Sequence, residues 1–543
     1  MQTRLHFSAL ISSALTGVLV LSAAACGSDT AANADLLDLR VFQVARDAGD
    51  SDRDPYLGVS FMRLIAADDS DVLTDKFVNY EEGIGRALDD IPFGENIQLT
   101  VEGWSRNPQN GLIGQVVSRG RSKRLNLSAD SEAVTVNIPF ARVNMFSRTS
   151  TPGTAGAEAT QLAQGRVGHS VTILADGRVL IAGGYVPVAG NSGDFKSLDD
   201  VQQVLASAEL YDPDTGQFAP AGNSMSIGRA FHSAILLGNQ AVLFIGGISA
   251  GNTATPTMEV YEPFQNVFIP LEMGLRTSRF GHTLTQLDTA GHMLISGGFT
   301  APDGTMAALT SAEVLCAPKS PCEETSGAGV LDLEFNMQQA RGFHTATRVD
   351  VGQSGDTEAV VMIGGEGDAG VLSTLETFAI NPAQFTQAAP IEMVGGARTR
   401  HSANYIHSQR FIHVAGGFSD KDHIAPVQRI DSYQVQQQAF HSGKEFYSLT
   451  ARGGHGSANI GNNAIVLFGG FDALGPMSTA EVIFEYQDLD EQKTFIDRGG
   501  VGAMAEKRGG GVGVLLDNGT VLTVGGVSEA GALNRHGEFF NPL

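Results

Sequence analysis

Cysteine and tryptophan are nearly missing from this 543-residue chain, which holds three of the first and one of the second. Positive charge is scarce as well: 35 Lys and Arg stand against 59 Asp and Glu, for a formal charge of -24. Nucleic-acid binders need clustered Lys and Arg to track phosphates, so DNA and RNA are excluded as partners. An acidic balance of this size keeps an exported protein soluble and monomeric. Past residue 25 no run of 18 apolar residues occurs, which excludes a membrane-spanning helix. Helical periodicity is absent apart from one turn at Leu198 to Leu205. What remains is 66 glycines, 42% hydrophobic residues and only 7% aromatics, a composition that fits many tight turns around real cores.

Against that background one tract recurs seven times. It opens at Arg166, Arg229, Arg279, Arg341, Arg398, Arg452 and Arg508. In six copies a histidine follows three places later, at His169, His232, His282, His344, His401 and His455, and Gly511 stands in the seventh. Each copy then reaches a glycine pair: Gly183-Gly184, Gly246-Gly247, Gly297-Gly298, Gly364-Gly365, Gly416-Gly417, Gly469-Gly470 and Gly525-Gly526. Between histidine and glycines, apolar residues flank a polar turn, which predicts a tight hairpin of buried strands. A third strand of the type Ala208-Glu-Leu-Tyr-Asp-Pro213 follows a loop of variable length, and a short fourth strand carries an aromatic such as Phe218, Phe268, Phe385 or Phe440. Four antiparallel strands per repeat describe one propeller blade.

The pattern resembles the kelch family, with its His-Ser pair before the first strand, Gly-Gly after the second and Tyr-Asp-Pro after the third. The resemblance covers residues 166 to 543, about 70% of the chain, and implies a seven-bladed kelch-type β-propeller within 149–543. The family's fourth-strand tryptophan is replaced here by phenylalanine or something smaller. The seventh copy ends after its third strand, so residues before Arg166 must supply the fourth. By analogy with the 14 residues from Phe218 to His232, that strand is expected near 150–163.

Residues 1–25 carry Arg4, an apolar stretch from Leu10 to Leu21 and small residues before Cys26. This resembles a bacterial lipoprotein signal, in which Cys26 becomes the lipidated first residue. Gly27 follows it, which by the sorting rules of that class implies the outer membrane or cell surface, on either face, and a membrane link through the lipid alone. Residues 26–35 read as a tether. Six or seven short alternating stretches in 36–148 predict a small β-sandwich, loosely similar to immunoglobulin-like modules, with Trp104 in its core. The fold class is therefore all-β. Cys316 and Cys322 flank Ala-Pro-Lys-Ser-Pro, and a disulfide there would staple a hairpin connection; a metal pair would want closer spacing and further ligands.

The recurring histidines invite a metal reading, but a residue placed once per repeat meets the same local environment each time and serves the fold. No cofactor or metal is expected. Asp50, Asp52 and Asp54 alternate like the start of a calcium loop, yet Pro55 and Phe61 stand where that loop needs glycine and glutamate. In the fifth copy His401, His407, His413 and His423 do not fall on one strand face. Enzymes that resemble galactose oxidase use a tyrosine crosslinked to cysteine, for which this chain has no free cysteine. A sialic acid mutarotase-like enzyme acting on a sugar stays open as an alternative reading, as does a structural envelope subunit.

Function on a repeat scaffold belongs to its nonrepeated loops. Two stand out: Tyr185 to Asp200, with Asp194, Lys196 and Asp199, and Phe418 to Ala425, with Asp420, Lys421, Asp422 and His423. The expectation is a non-catalytic, lipid-anchored monomer that binds a protein or glycan through such loops.

Overall fold

Apolar runs as short as Val179–Ala182 cannot bury themselves alone, and here they become the inner strands of stacked antiparallel sheets. The computed structural model describes residues 19–21, 37–43, 51–79, 91, 93–106, 114–128, 134–151, 159–351, 358–386, 389–441, 446–488 and 493–543. Cys26, the tether 26–35, Asp50 and most of the leader lie outside these residues.

The protein is all-β. In the first repeat Ser170–Ile173, Val179–Ala182, Ala208–Asp212 and Gln217–Pro220 pair in that order. The same order recurs in all seven repeats, and in the fourth and fifth the outer strand is split in two. The seventh sheet is completed from the other end of the repeat region: Met145–Arg148 pairs antiparallel with Glu538–Asn541. This strand lies a few residues before the expected 150–163. Its aromatic is Phe146, whose ring centre sits 5.1 Å from Phe540, as Phe218 sits 4.8 Å from Tyr211 in the first repeat. Farther along, Gln161 bridges only to His536.

Apolar clusters lie between consecutive sheets. Leu180 and Leu210 pack on Val242 and Phe244 between the first and second, and Val179 and Ile181 pack on Leu522 and Val524 between the first and seventh. First strands likewise neighbour one another in sequence, and Val512–Leu515 neighbours Ser170–Ile173.

Polar groups repeat the same circuit. The second glycine of each pair donates its N–H to the carbonyl of the next repeat's arginine, as in Gly184 to Arg229 at 2.8 Å, and Gly526 donates to Arg166 at 2.9 Å. A side chain on the first glycine would strike the next repeat: a Cβ at Gly183 would lie 2.3 Å from the Arg229 carbonyl oxygen. Its φ of +66° also favours glycine. Each arginine is buried and bonds back into its own sheet; Arg229 donates to Gly246 O at 2.9 Å, Thr257 O at 3.1 Å and Glu259 Oε1 at 2.5 Å. The acid in turn accepts the N–H groups of Ser226 and Ile227, which lead into the motif. Asp431 takes this role in the fifth repeat.

Residues before Met145 form one sheet of seven strands, where two sheets were expected. Leu37–Gln43 runs parallel to Val134–Phe140, and Leu19–Leu21 pairs with Leu39–Val41 on its far edge. The strands share one apolar core around Leu64, Leu99, Val101 and Ile138. Trp104 is half-buried outside that cluster, edge-on to Phe77, and donates to Glu102 at 3.0 Å. Asn541 ties this unit to the seventh repeat, donating to Arg119 O and Ala141 O. Lys123 pairs with Asp214, and Gln98 donates to Asp517 O, so the unit sits against the hairpin turns of the first and seventh repeats. The post-glycine loops leave from the opposite ends of those strands.

Cys316 and Cys322 are disulfide-bonded, which fits an oxidising, exported environment. Among the described residues no helix is long and apolar enough to cross a membrane.

Candidate functional site

The repeat histidines are packing and hydrogen-bonding residues. Each ring lies under the preceding repeat's first glycine, and Nε2 of His232 meets Ser170 Oγ at 2.8 Å, of His401 Thr345 Oγ1 at 3.1 Å and of His455 Ser402 Oγ at 3.0 Å. Burial, then the motif arginines, push His169, His232, His401 and His455 down to about 3, and hold His282 and His344 well below the ordinary range. They are neutral imidazoles at every physiological pH. Among the described residues neither His169 nor His282 has a hydrogen-bond partner on its ring nitrogens: Val512 holds the place of the hydroxyl for His169, and Ser233 Oγ donates instead to the His282 carbonyl. Where Gly511 removes the histidine, Gly456 removes its hydroxyl, and the Phe468 ring fills the space. Histidine and partner are lost together.

Two residues after each arginine stand Gly168, Phe231, Gly281, Phe343, Arg400, Gly454 and Gly510, all with φ between +49° and +65°. Their backbones link repeat to repeat: Phe231 donates to Gly168 O at 2.8 Å, Gly281 to Phe231 O at 2.9 Å, and so on to Gly510, which donates to Gly454 O at 3.0 Å. Phe231, Phe343 and Arg400 project side chains where the first strands converge. The Arg400 guanidinium lies 3.9 Å from the Phe343 ring centre, and 5.5 Å and 5.6 Å from those of Phe195 and Phe231.

Over this centre the two singled-out loops meet. Asp194 and His423 are both buried, with His423 Nδ1 at 2.9 Å from each carboxylate oxygen. His423 stacks on Phe418 at 4.5 Å. Phe195, the residue after Asp194, drives into the cluster of Tyr185, Phe231, Phe280 and Phe343. The loop of the first repeat thus reaches the fifth through Asp194, the second through Asn252, which donates to Leu198 O, and the seventh, where Gly193 sits so close to Val527 that a Cβ would clash at 2.3 Å.

The remaining loop residues fall into two kinds. Tyr185 is fully buried, its hydroxyl donating to Gly193 O at 3.4 Å, and burial raises its pKa; it is a core residue, unlike the loop ligand it was expected to be. Asp420 accepts the N–H groups of Ile424 and Ala425 and shapes its own turn. Lys421 is exposed and reaches Gly367 O at 3.2 Å and the Glu366 carboxylate at 3.9 Å. Lys196, Asp199 and Asp422 are exposed. The turn at Leu198 is a single 3-10 turn, Leu198–Asp200, and a strand, Val201–Val204, follows it.

The fifth-repeat histidines stay apart: His413 meets Ser432, His407 lies 3.7 Å from Asp350, and His423 belongs to the loop pair. Among the described residues no three His, Cys, Asp or Glu side chains gather as a metal site would need. Three large apolar side chains stand exposed on post-glycine loops: Val188 at 40%, Ile424 at 68% and Leu474 at 97%. Sequence reasoning passed over these, and over Arg400 and Phe195, because none of them recurs. No family model matches the chain, and no curated protein does.

Proposed function

We propose that the seven sheets are the blades of a kelch-type propeller and that the protein is a non-catalytic, lipid-anchored envelope protein. Its post-glycine loops bind a protein or glycan partner. One observation carries the reading: Asp194 and His423 lock two nonrepeated loops into one surface, and that surface keeps Ile424 in the open. A pre-ordered surface with an exposed apolar residue loses little entropy on binding. The N-terminal unit occupies the turns at the other end of the strands, which leaves the loop face clear for a partner.

The test is a crosslinking pull-down from native envelopes with the intact protein and with Ile424→Asp and Leu474→Asp. Replacing the whole Tyr185 to Asp200 loop would strip Tyr185 and Phe195 from the core, so exposed point changes are the cleaner probe. A stoichiometric partner lost with either change supports the reading. Identical recovery from all three proteins, or no partner from any, counts against it, and sugars then become the ligands to screen for binding and turnover.

A further inference from the structure

Arg400 shares its left-handed backbone, φ +52°, with Phe231 and Phe343 at the equivalent positions, but two features do not fit a packing role. Its guanidinium makes no ion pair among the described residues, although the buried motif arginines all do. The nearby acid, Asp194, is taken by His423 instead. Filling the centre needs only apolar bulk, which Phe231 and Phe343 already supply from the equivalent positions. What arginine adds is charge.

The aromatic contacts hold the guanidinium by its face and leave its N–H edge for bonds in the plane. The next two repeats contribute Gly454 and Gly510 at the equivalent position, so no side chain from them stacks on Arg400 as it stacks on Phe343. Arg400 is half-buried, which leaves part of it reachable. A cation in such a place is costly without an anion. A single planar fork matches a planar, singly charged carboxylate. A phosphate or sulfate would call for further cations; Lys196 and Lys421 lie on the loops around Arg400, but so do Asp194, Asp199 and Asp200, and Lys421 sits 3.9 Å from Glu366.

We infer that Arg400 is the anion-recognition group of an axial binding site, and that the site takes a carboxylate-bearing ligand. The site lies inside the loop cap, so it goes beyond the partner surface proposed above and does not depend on that partner.

The experiment is calorimetric titration of the mature chain at low ionic strength with acetate, D-glucuronate and glycylglycine, and with neutral D-glucose as control. The three carboxylates separate a bare acid, an acidic sugar and a peptide terminus. Expected is saturable one-to-one binding of at least one carboxylate and none of glucose. Arg400→Met should weaken that binding at least tenfold, and Arg400→Lys should keep part of it. The ligand-free melting temperature of Arg400→Met should equal or exceed that of the parent, and the bound carboxylate should no longer raise it. The proposal fails if no carboxylate binds, if glucose binds equally, or if Arg400→Met binds as the parent does. A large fall in melting temperature in both variants with binding retained would make Arg400 a packing residue.

Discussion

His423 holds both carboxylate oxygens of Asp194 at 2.9 Å from one ring nitrogen, and so joins segments 229 residues apart. Neither residue has a counterpart in the other repeats. The bond closes the loop of the first repeat over the centre that Phe195 fills, and it makes a prediction about that loop.

His423→Ala leaves the Asp194 carboxylate buried without its partner, at a cost of about 3 kcal/mol. The expected result is a lower melting temperature together with faster proteolysis within 186–197. Unchanged cleavage would show that Phe195 alone holds the loop.

Glu259→Gln tests the buried ion pairs. It keeps the shape but leaves the Arg229 charge uncompensated, and a loss of about 3 kcal/mol in urea denaturation is expected. Glu259→Leu should cost more, because the Ser226 and Ile227 N–H groups also lose their acceptor. Equal losses in the two variants would contradict this account.

Acid should unfold the protein through its histidines. The folded-state values near 3 for His169, His232, His401 and His455 lie below the ordinary 6.5, so the unfolded chain binds protons first as pH falls. Stability is therefore complete above about pH 6.5 and declines toward pH 3, by up to about 1.4 kcal/mol per pH unit for each such group. Urea midpoints at pH 7, 5.5 and 4.5 measure the slope. His232→Gln should flatten it, whatever it does to the value at pH 7.

Val512→Thr should stabilise the junction between the seventh and first repeats. It restores the hydroxyl that Thr283 and Thr345 present in theirs, opposite His169, and keeps the β-branched shape. A gain of about 1 kcal/mol is expected. No gain would mean that the His169 ring is already satisfied.

The repeat was legible because its parts sit at fixed intervals: arginine bonds acid and glycine bonds the next arginine's carbonyl in all seven copies, and histidine meets a hydroxyl in four. Reading failed where a task is done once. Met145–Arg148 was placed late because its only mark is Phe146, and the spacing borrowed from Phe218 to His232 does not hold where the chain enters the repeats. Asp431 escaped the third-strand pattern by being one methylene shorter than glutamate. The seven strands before Met145 alternate as sandwich strands do, yet a short pairing of Ser118 and Arg119 with Arg142 and Ala141 joins them in one sheet, and alternation says nothing about who pairs with whom. Of the eight loop residues singled out, only Asp194 and His423 form a pair with each other, because a contact between distant loops leaves no periodic trace.

The pairing of Met145–Arg148 with Glu538–Asn541 has a consequence for synthesis. The first of these strands is made early and waits for a partner that lies about 390 residues further along the chain. Until that partner is made, Met145–Arg148 has no strand to pair with and the seventh sheet stays incomplete. Loss of the final six residues, Glu538 to Leu543, would leave the molecule permanently ajar.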